Sequence, residues 1–201
     1  MLSPDAETTA VPADHPSDHE LMIAVRAGDV ARLGDLFERH QLPLFGFFVR
    51  LTADRTTAED LVQIVFQRVL KYRRTYRDEG KFSAWLYHLA RRVAADHYRR
   101  HSRTPIPADP TVLPEPADDA PHAGEQTARA EDLALMQTAL AGLPLDQREV
   151  LILHRFQHLR YDEIARLLNV SASAAKVRAH RALTALRDRY FKLRRESPAT
   201  S

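Results

Sequence analysis

Between positions 102 and 126 the chain reads SRTPIPADPTVLPEPADDAPHAGEQ, which holds six of its twelve prolines and one arginine against five acidic residues. Each proline removes a backbone donor and crowds the preceding turn, and the stretch has few apolar side chains to bury. A segment of this kind does not build a packed domain. It therefore divides the 201 residues into two small units joined by a flexible acidic tether. The expected order is an acidic tail over 1–19, a first domain over 20–101, the linker over 102–129, a second domain over 130–191 and a short tail over 192–201.

Both units read as helical, because glycines are few and no strand-like alternation occurs, so the expected fold is all-α. The first unit opens with helices broken near Gly28 and Pro43. TTAEDLVQIVFQRVLKY then starts with a capping box, Thr56 to Glu59, and repeats Leu61, Val65 and Val69 at helical spacing. In FSAWLYHLARRVAADHYRR the buried stripe is Phe82, Trp85 or Leu86, Leu89 and Val93, opposite a face of Tyr87, His88, Arg91, Arg92, Asp96, Arg99 and Arg100.

The second unit begins with two helices split around Gly142 and Pro144. A short helix YDEIARLL, the turn NVS with Ser171 as N-cap, and a further helix give the layout of a helix-turn-helix. In that last helix Ala175, Ala179, Ala182 and Leu186 form a narrow stripe that allows close packing, and Ser173, Lys176, Val177, His180 and Arg181 face away from it.

The net charge of +2 conceals segregation. Residues 71–103 carry ten Lys and Arg against three acids, and residues 155–195 carry eleven against three. Two basic zones, one mixed with tyrosines and one on a helix-turn-helix, point to two contacts with a polyanion, although basic helical faces are also often no more than solvated surface. Other chemistry finds no support. No apolar run approaches the roughly 20 residues of a membrane span, and the first 20 residues lack a secretion signal, so a cytoplasmic location is expected. Cysteine is absent, which excludes disulfides and thiolate metal sites. The pairs His154 with His158 and His97 with His101 lack the glutamate and third ligand of a hydrolytic zinc helix, so neither metal nor cofactor is expected. Nor is there a phosphate-binding glycine loop, a nucleophile elbow or a paired-carboxylate site, and no enzymatic activity is expected.

Taken together, TAEDLVQIVFQRVL, FSAWLYHLARRVAADHYRR and LAGLPLDQREVLILHRFQHLRYDEIARLLNVSASAAKVRAHRALTALR resemble regions 2.2, 2.3–2.4 and 4 of the extracytoplasmic-function sigma factors of bacterial RNA polymerase, members of the sigma-70 family. The resemblance covers most of 20–101 and 130–190, in the right order and with a tether between. It implies a region 2 helical bundle and a region 4 helix-turn-helix, binding core polymerase and promoter DNA and helping to melt the promoter. Asp60, Gln63, Phe66 and Gln67 would lie on the helix that docks on the coiled coil of the largest polymerase subunit, with the polymerase flap and an anti-sigma factor as further partners. Tyr72, Arg73, Arg74, Tyr76, Tyr87, His88, Arg91, Arg92 and Arg99 would open and hold the −10 element. Ser173, Lys176, Val177, His180 and Arg181 would face the −35 major groove, with Arg178 near phosphate. The sequence departs from the family pattern at Ile64, usually acidic, and at Ala174 and Val177, where Thr and Ser are common. Two competing classes are a stand-alone helix-turn-helix regulator, which would footprint its operator without polymerase, and a small helical metallohydrolase using the histidine pairs.

Overall fold

The computed structural model describes residues 16–77, 81–101 and 123–196, with no side chains described at 101 or at 123–128. Among the described residues there are eight α-helices and one 3-10 turn, and no strand. Both acidic segments expected as tail and tether fall mostly outside this range, although the helix after the tether already begins at Ala123, inside the stretch assigned to the linker.

The first half contains α1 (Asp18–Ala27), α2 (Arg32–Thr52), α3 (Arg55–Tyr72), a 3-10 turn (Arg73–Thr75) and α4 (Phe82–His101). Ser17 caps α1 in a reciprocal box with Glu20, and the helix ends at Gly28, whose φ of 120° lies in the left-handed region that favours glycine. Pro43 does not break the chain as its sequence suggests. It sits inside α2, whose Leu36, Leu44, Phe47, Phe48 and Leu51 are all buried, and that burial on both sides outweighs the one missing donor. The cap of α3 also differs: Asp54, not Thr56, accepts the Thr57 amide at 2.5 Å, which places Thr56 within the first turn.

The second half contains α5 (Ala123–Ala141), α6 (Leu145–Arg155), α7 (Tyr161–Leu168) and α8 (Ala172–Glu196). Helices α5, α6 and α7 all pack on α8, and the split between α5 and α6 falls at Gly142–Pro144 as expected. The halves touch where α2 meets α5 and α6 and where α4 meets α7, so that one hydrophobic cluster runs through both. None of the described helices is long and apolar enough to cross a membrane.

Candidate nucleic-acid interface

The helix-turn-helix is built from short-range signals. In α7, Ile164, Ala165 and Leu167 are buried, Asn169 ends the helix at φ 54°, and the Val170 amide returns to the Ala165 carbonyl at 3.0 Å. Ser171 Oγ then accepts the Ala174 amide at 3.1 Å and starts α8. Ala175, Ala179 and Ala182 are buried, and their small size lets the other helices approach closely. Ser173, Lys176, Val177, His180 and Arg181 are all exposed along the opposite side, with Val177 half accessible. Arg178 lies between these faces and is 3.5 Å from Asp146 of α6.

On α4 the expected face divides in two. His88, Arg92 and Arg99 are exposed along one line, and Arg99 also binds Asp96. The carboxyl of Asp96 is held below the usual carboxylate range, chiefly by its hydrogen bond from Arg68 at 2.6 Å. Desolvation, with Arg92 and Arg91 nearby, pushes His88 below the ordinary histidine value and keeps its imidazole neutral at neutral pH. Tyr87 and Arg91, in contrast, are turned into the seam between the halves. Tyr87 is 3% exposed, packs edge-on against Phe47 and donates its hydroxyl to Gln157, and burial drives its pKa well above the ordinary phenol value. Arg91 makes a forked contact with Glu149, at 2.6 and 3.2 Å, and also donates to the Leu167 carbonyl.

At the turn after α3, Tyr72 and Arg74 are exposed and Arg73 donates to the Leu70 carbonyl at 2.7 Å. Tyr76, expected on the surface, is 2% exposed. Beside this turn lies an open cleft of about 470 Å³, lined by Tyr76, Arg77, Lys81, Trp85 and His88 from the first half and by residues of α7 including Glu163 and Arg166. Lys81 reaches Glu163 across it at 3.2 Å.

On α3, Asp60, Gln63 and Gln67 are exposed together. Phe66 is not part of that surface: it is 6% exposed and meets Phe37 of α2 edge-on at 4.8 Å. Ile64 is half-buried against the core, which suits an apolar side chain there. Sequence reasoning missed the groove beside Gln63, about 230 Å³ between Leu42, Phe45, Arg55 and Val62, where Leu42 is 73% exposed. The signal in the sequence is that Leu42 falls off the stripe of Leu36, Leu44, Phe47, Phe48 and Leu51.

The fold separates His154 from His158, and the side chain of His101 lies outside the described residues. Helix α6 ends at Arg155, so His158, at φ 53°, is outside it, while His154 stacks on Tyr161. His97 is buried. Among the described residues no three His, Asp or Glu converge as metal ligands.

Comparison with known proteins bears on both halves. Residues 36–104 match the family described as Sigma-70 region 2, and residues 133–186 match Sigma-70, region 4. The chain is 32% identical to RNA polymerase sigma factor CarQ of Myxococcus xanthus over 77% of its own length and 86% of that protein's. It is 36% identical to the ECF RNA polymerase sigma factor ShbA of Streptomyces griseus subsp. griseus, over 69% and 74% of the respective lengths. In fold it is similar to CnrH, solved in complex with the cytosolic domain of CnrY, with a TM-score of 0.64 at 22% identity, over 86% of this chain and 96% of that one. A sigma factor RpoE solved with the anti-sigma factor NepR from Bartonella quintana gives a TM-score of 0.61 at 23% identity, over 77% and 96%.

Proposed function

Since the chain belongs to the extracytoplasmic-function sigma factors of the sigma-70 family, and so directs promoter-specific transcription initiation by core RNA polymerase, we propose how its surfaces divide that work. Asp60, Gln63 and Gln67 of α3, with the Leu42 groove beside them, dock on the polymerase, and Phe66 supports them from the core. Tyr72, Arg73, Arg74, His88, Arg92 and Arg99 hold the −10 element, joined by Tyr87 and Arg91 once the seam to α6 and α7 opens. Ser173, Lys176, Val177, His180 and Arg181 read the −35 major groove, and Arg178 contacts phosphate.

The observation that carries this reading is α8. A helix whose buried residues are Ala175, Ala179 and Ala182, with Ala185 and Leu186 packed partly against the core, leaves along its N-terminal part a continuous basic and small-residue face of the width a major groove admits. Phosphate cations set register there, and a few side chains read base edges. The action is binding without a catalytic step of the chain's own, in the cytoplasm, and an anti-sigma factor is the partner that would restrain it. Run-off transcription with core polymerase on a promoter library tests the assignment. Initiation that depends on both the chain and a defined −35/−10 pair is expected, and a footprint formed without polymerase overturns it in favour of a stand-alone regulator.

A further inference from the structure

Helix α1 precedes the segment that matches Sigma-70 region 2, yet it holds the turn assigned to the −10 element. Tyr76, just past that turn, is fixed by α1 from two sides. The Arg26 guanidinium donates to the Tyr76 carbonyl at 2.9 Å, and His19 Nδ1 shares a hydrogen bond with the Tyr76 hydroxyl at 2.9 Å. The Tyr76 ring in turn packs edge-on against Trp85 at 5.3 Å and Phe82 at 6.1 Å, at the start of α4. Helix α1 is itself well anchored: Leu21, Met22 and Val25 are buried, and Asp18 binds Arg39 at 3.0 Å and His40 at 2.6 Å on α2. A line of contacts therefore runs from α2 through α1 to the backbone of the turn.

We propose that His19 and Arg26 are positioning residues for promoter recognition, which clamp Tyr76 so that the 73–77 turn presents its arginines to the −10 element in one geometry. Tyr76, on this view, contacts no base and acts as the handle by which the turn is held. The proposal rests on the reading of this turn as a −10 contact. Its physical basis is that a backbone carbonyl bonded to a cation, and a phenol bonded at its tip, fix both translation and rotation of one residue. A turn fixed in that way loses less entropy on binding and rejects geometries that a mobile turn would accept.

The test uses the full chain with core polymerase and two independent readouts. The first is the preference among single-base −10 variants in run-off transcription. The second is local and needs no DNA: Trp85 is the only tryptophan, so its quenching by acrylamide, with amide exchange over 73–77, reports the clamp directly. Arg26→Ala and His19→Ala are expected to lower −10 discrimination about three- to tenfold, to raise Trp85 quenching and to speed amide exchange. Core binding and −35 preference should not change. Arg26→Lys and His19→Asn, which keep one hydrogen-bonding group each, should recover part of the effect. Tyr76→Phe keeps the ring packing, removes the hydroxyl that meets His19 and serves where an alanine variant does not fold; it should shift quenching, exchange and −10 discrimination in the same direction as His19→Ala. Unchanged quenching and exchange overturn the clamp itself. A clear change in both with unaltered −10 preference overturns the assignment of the turn to the −10 element, and the proposal with it.

Discussion

Replacing Arg148 with methionine tests how much one guanidinium contributes where the ends of α2 and α5 meet α6. Its Nη1 donates to the Leu51 carbonyl at the end of α2 at 2.7 Å, and its Nη2 donates to the carbonyls of Leu143, at 3.0 Å, and Ala141 at the end of α5. A half-buried cation thus joins the C-terminal ends of two helices, where the backbone carries excess negative charge. Methionine keeps the packing of the stem and removes every donor. The Leu51 carbonyl retains the Tyr98 hydroxyl at 2.7 Å, so the loss falls on Ala141 and Leu143. An abandoned buried carbonyl costs about 1–3 kcal/mol. Part of that is offset because the guanidinium is itself desolvated, which lowers its pKa, and its Nε has no hydrogen-bond partner. A net loss of about 2–4 kcal/mol is therefore expected in urea unfolding, seen as a lower midpoint at unchanged slope. Arg148→Lys should recover less than half, because a compact ammonium lacks the fixed fork of donors by which the guanidinium meets the Ala141 and Leu143 carbonyls while also reaching Leu51. A loss below about 0.5 kcal/mol, or full recovery by lysine, would refute the reasoning.

Further outcomes follow from the other surfaces. Alanine at both Asp60 and Gln63 should weaken core polymerase binding and leave thermal unfolding nearly unchanged, since both are exposed. Arg181→Ala should cost about 1–3 kcal/mol at one position of the −35 element if it reads a base; an equal loss across all −35 variants with a shallower salt dependence would make it a phosphate contact. Glu149→Gln should free Arg91 and tighten binding of a −10 single strand by the chain with core polymerase, and equal binding would remove Arg91 from that interface. The carboxyl of Asp96 sits lower in the folded chain than when unfolded, so its contribution is complete above about pH 5 and fades as the pH falls through the folded value. Asp96→Asn should flatten that part of a stability–pH curve, measured by urea midpoints.

Local signals were legible wherever one residue decides the outcome. Gly28 and Ser171 each end or begin a helix through their own chemistry, and the alanine stripe of α8 follows directly from its spacing. The reading failed where a helix is covered from more than one side. Periodicity finds one stripe on α3, but α2 and α4 both pack on it, so Ala58, Val62 and Phe66 are buried as well as Leu61, Val65 and Val69. On α4 the same error has a longer reach: Leu89 and Val93 belong to the core, while Tyr87 and Arg91 are taken by residues 58 to 76 positions further along the chain. No local pattern records such a partner. Pro43 shows the converse, a strong local breaker overruled by the apolar residues around it.

That seam bears on how the two promoter contacts can be made together. Its named bonds are largely polar: Arg91 to Glu149, Tyr87 to Gln157, Gln157 to the Pro43 carbonyl, Arg148 to the Leu51 carbonyl, and Arg50 stacked 4.1 Å over Phe156. A carboxylate bound by both ends of a guanidinium fork presents two oxygens much as a phosphate does. Glu149 therefore gives Arg91 the kind of partner that a nucleic-acid backbone would give it, and exchanging one for the other conserves the charged hydrogen bonds. The cost of exposing Arg91 is then set by the remaining contacts, the polar ones each of the order of 1 kcal/mol, together with the apolar surface of the cluster that runs through both halves. The α8 face pays nothing in such an exchange, because Ser173, Lys176, Val177, His180 and Arg181 are already exposed. On the proposed division of surfaces, duplex recognition by the second half can precede release of the seam, whereas full engagement of α4 with a melted strand requires it.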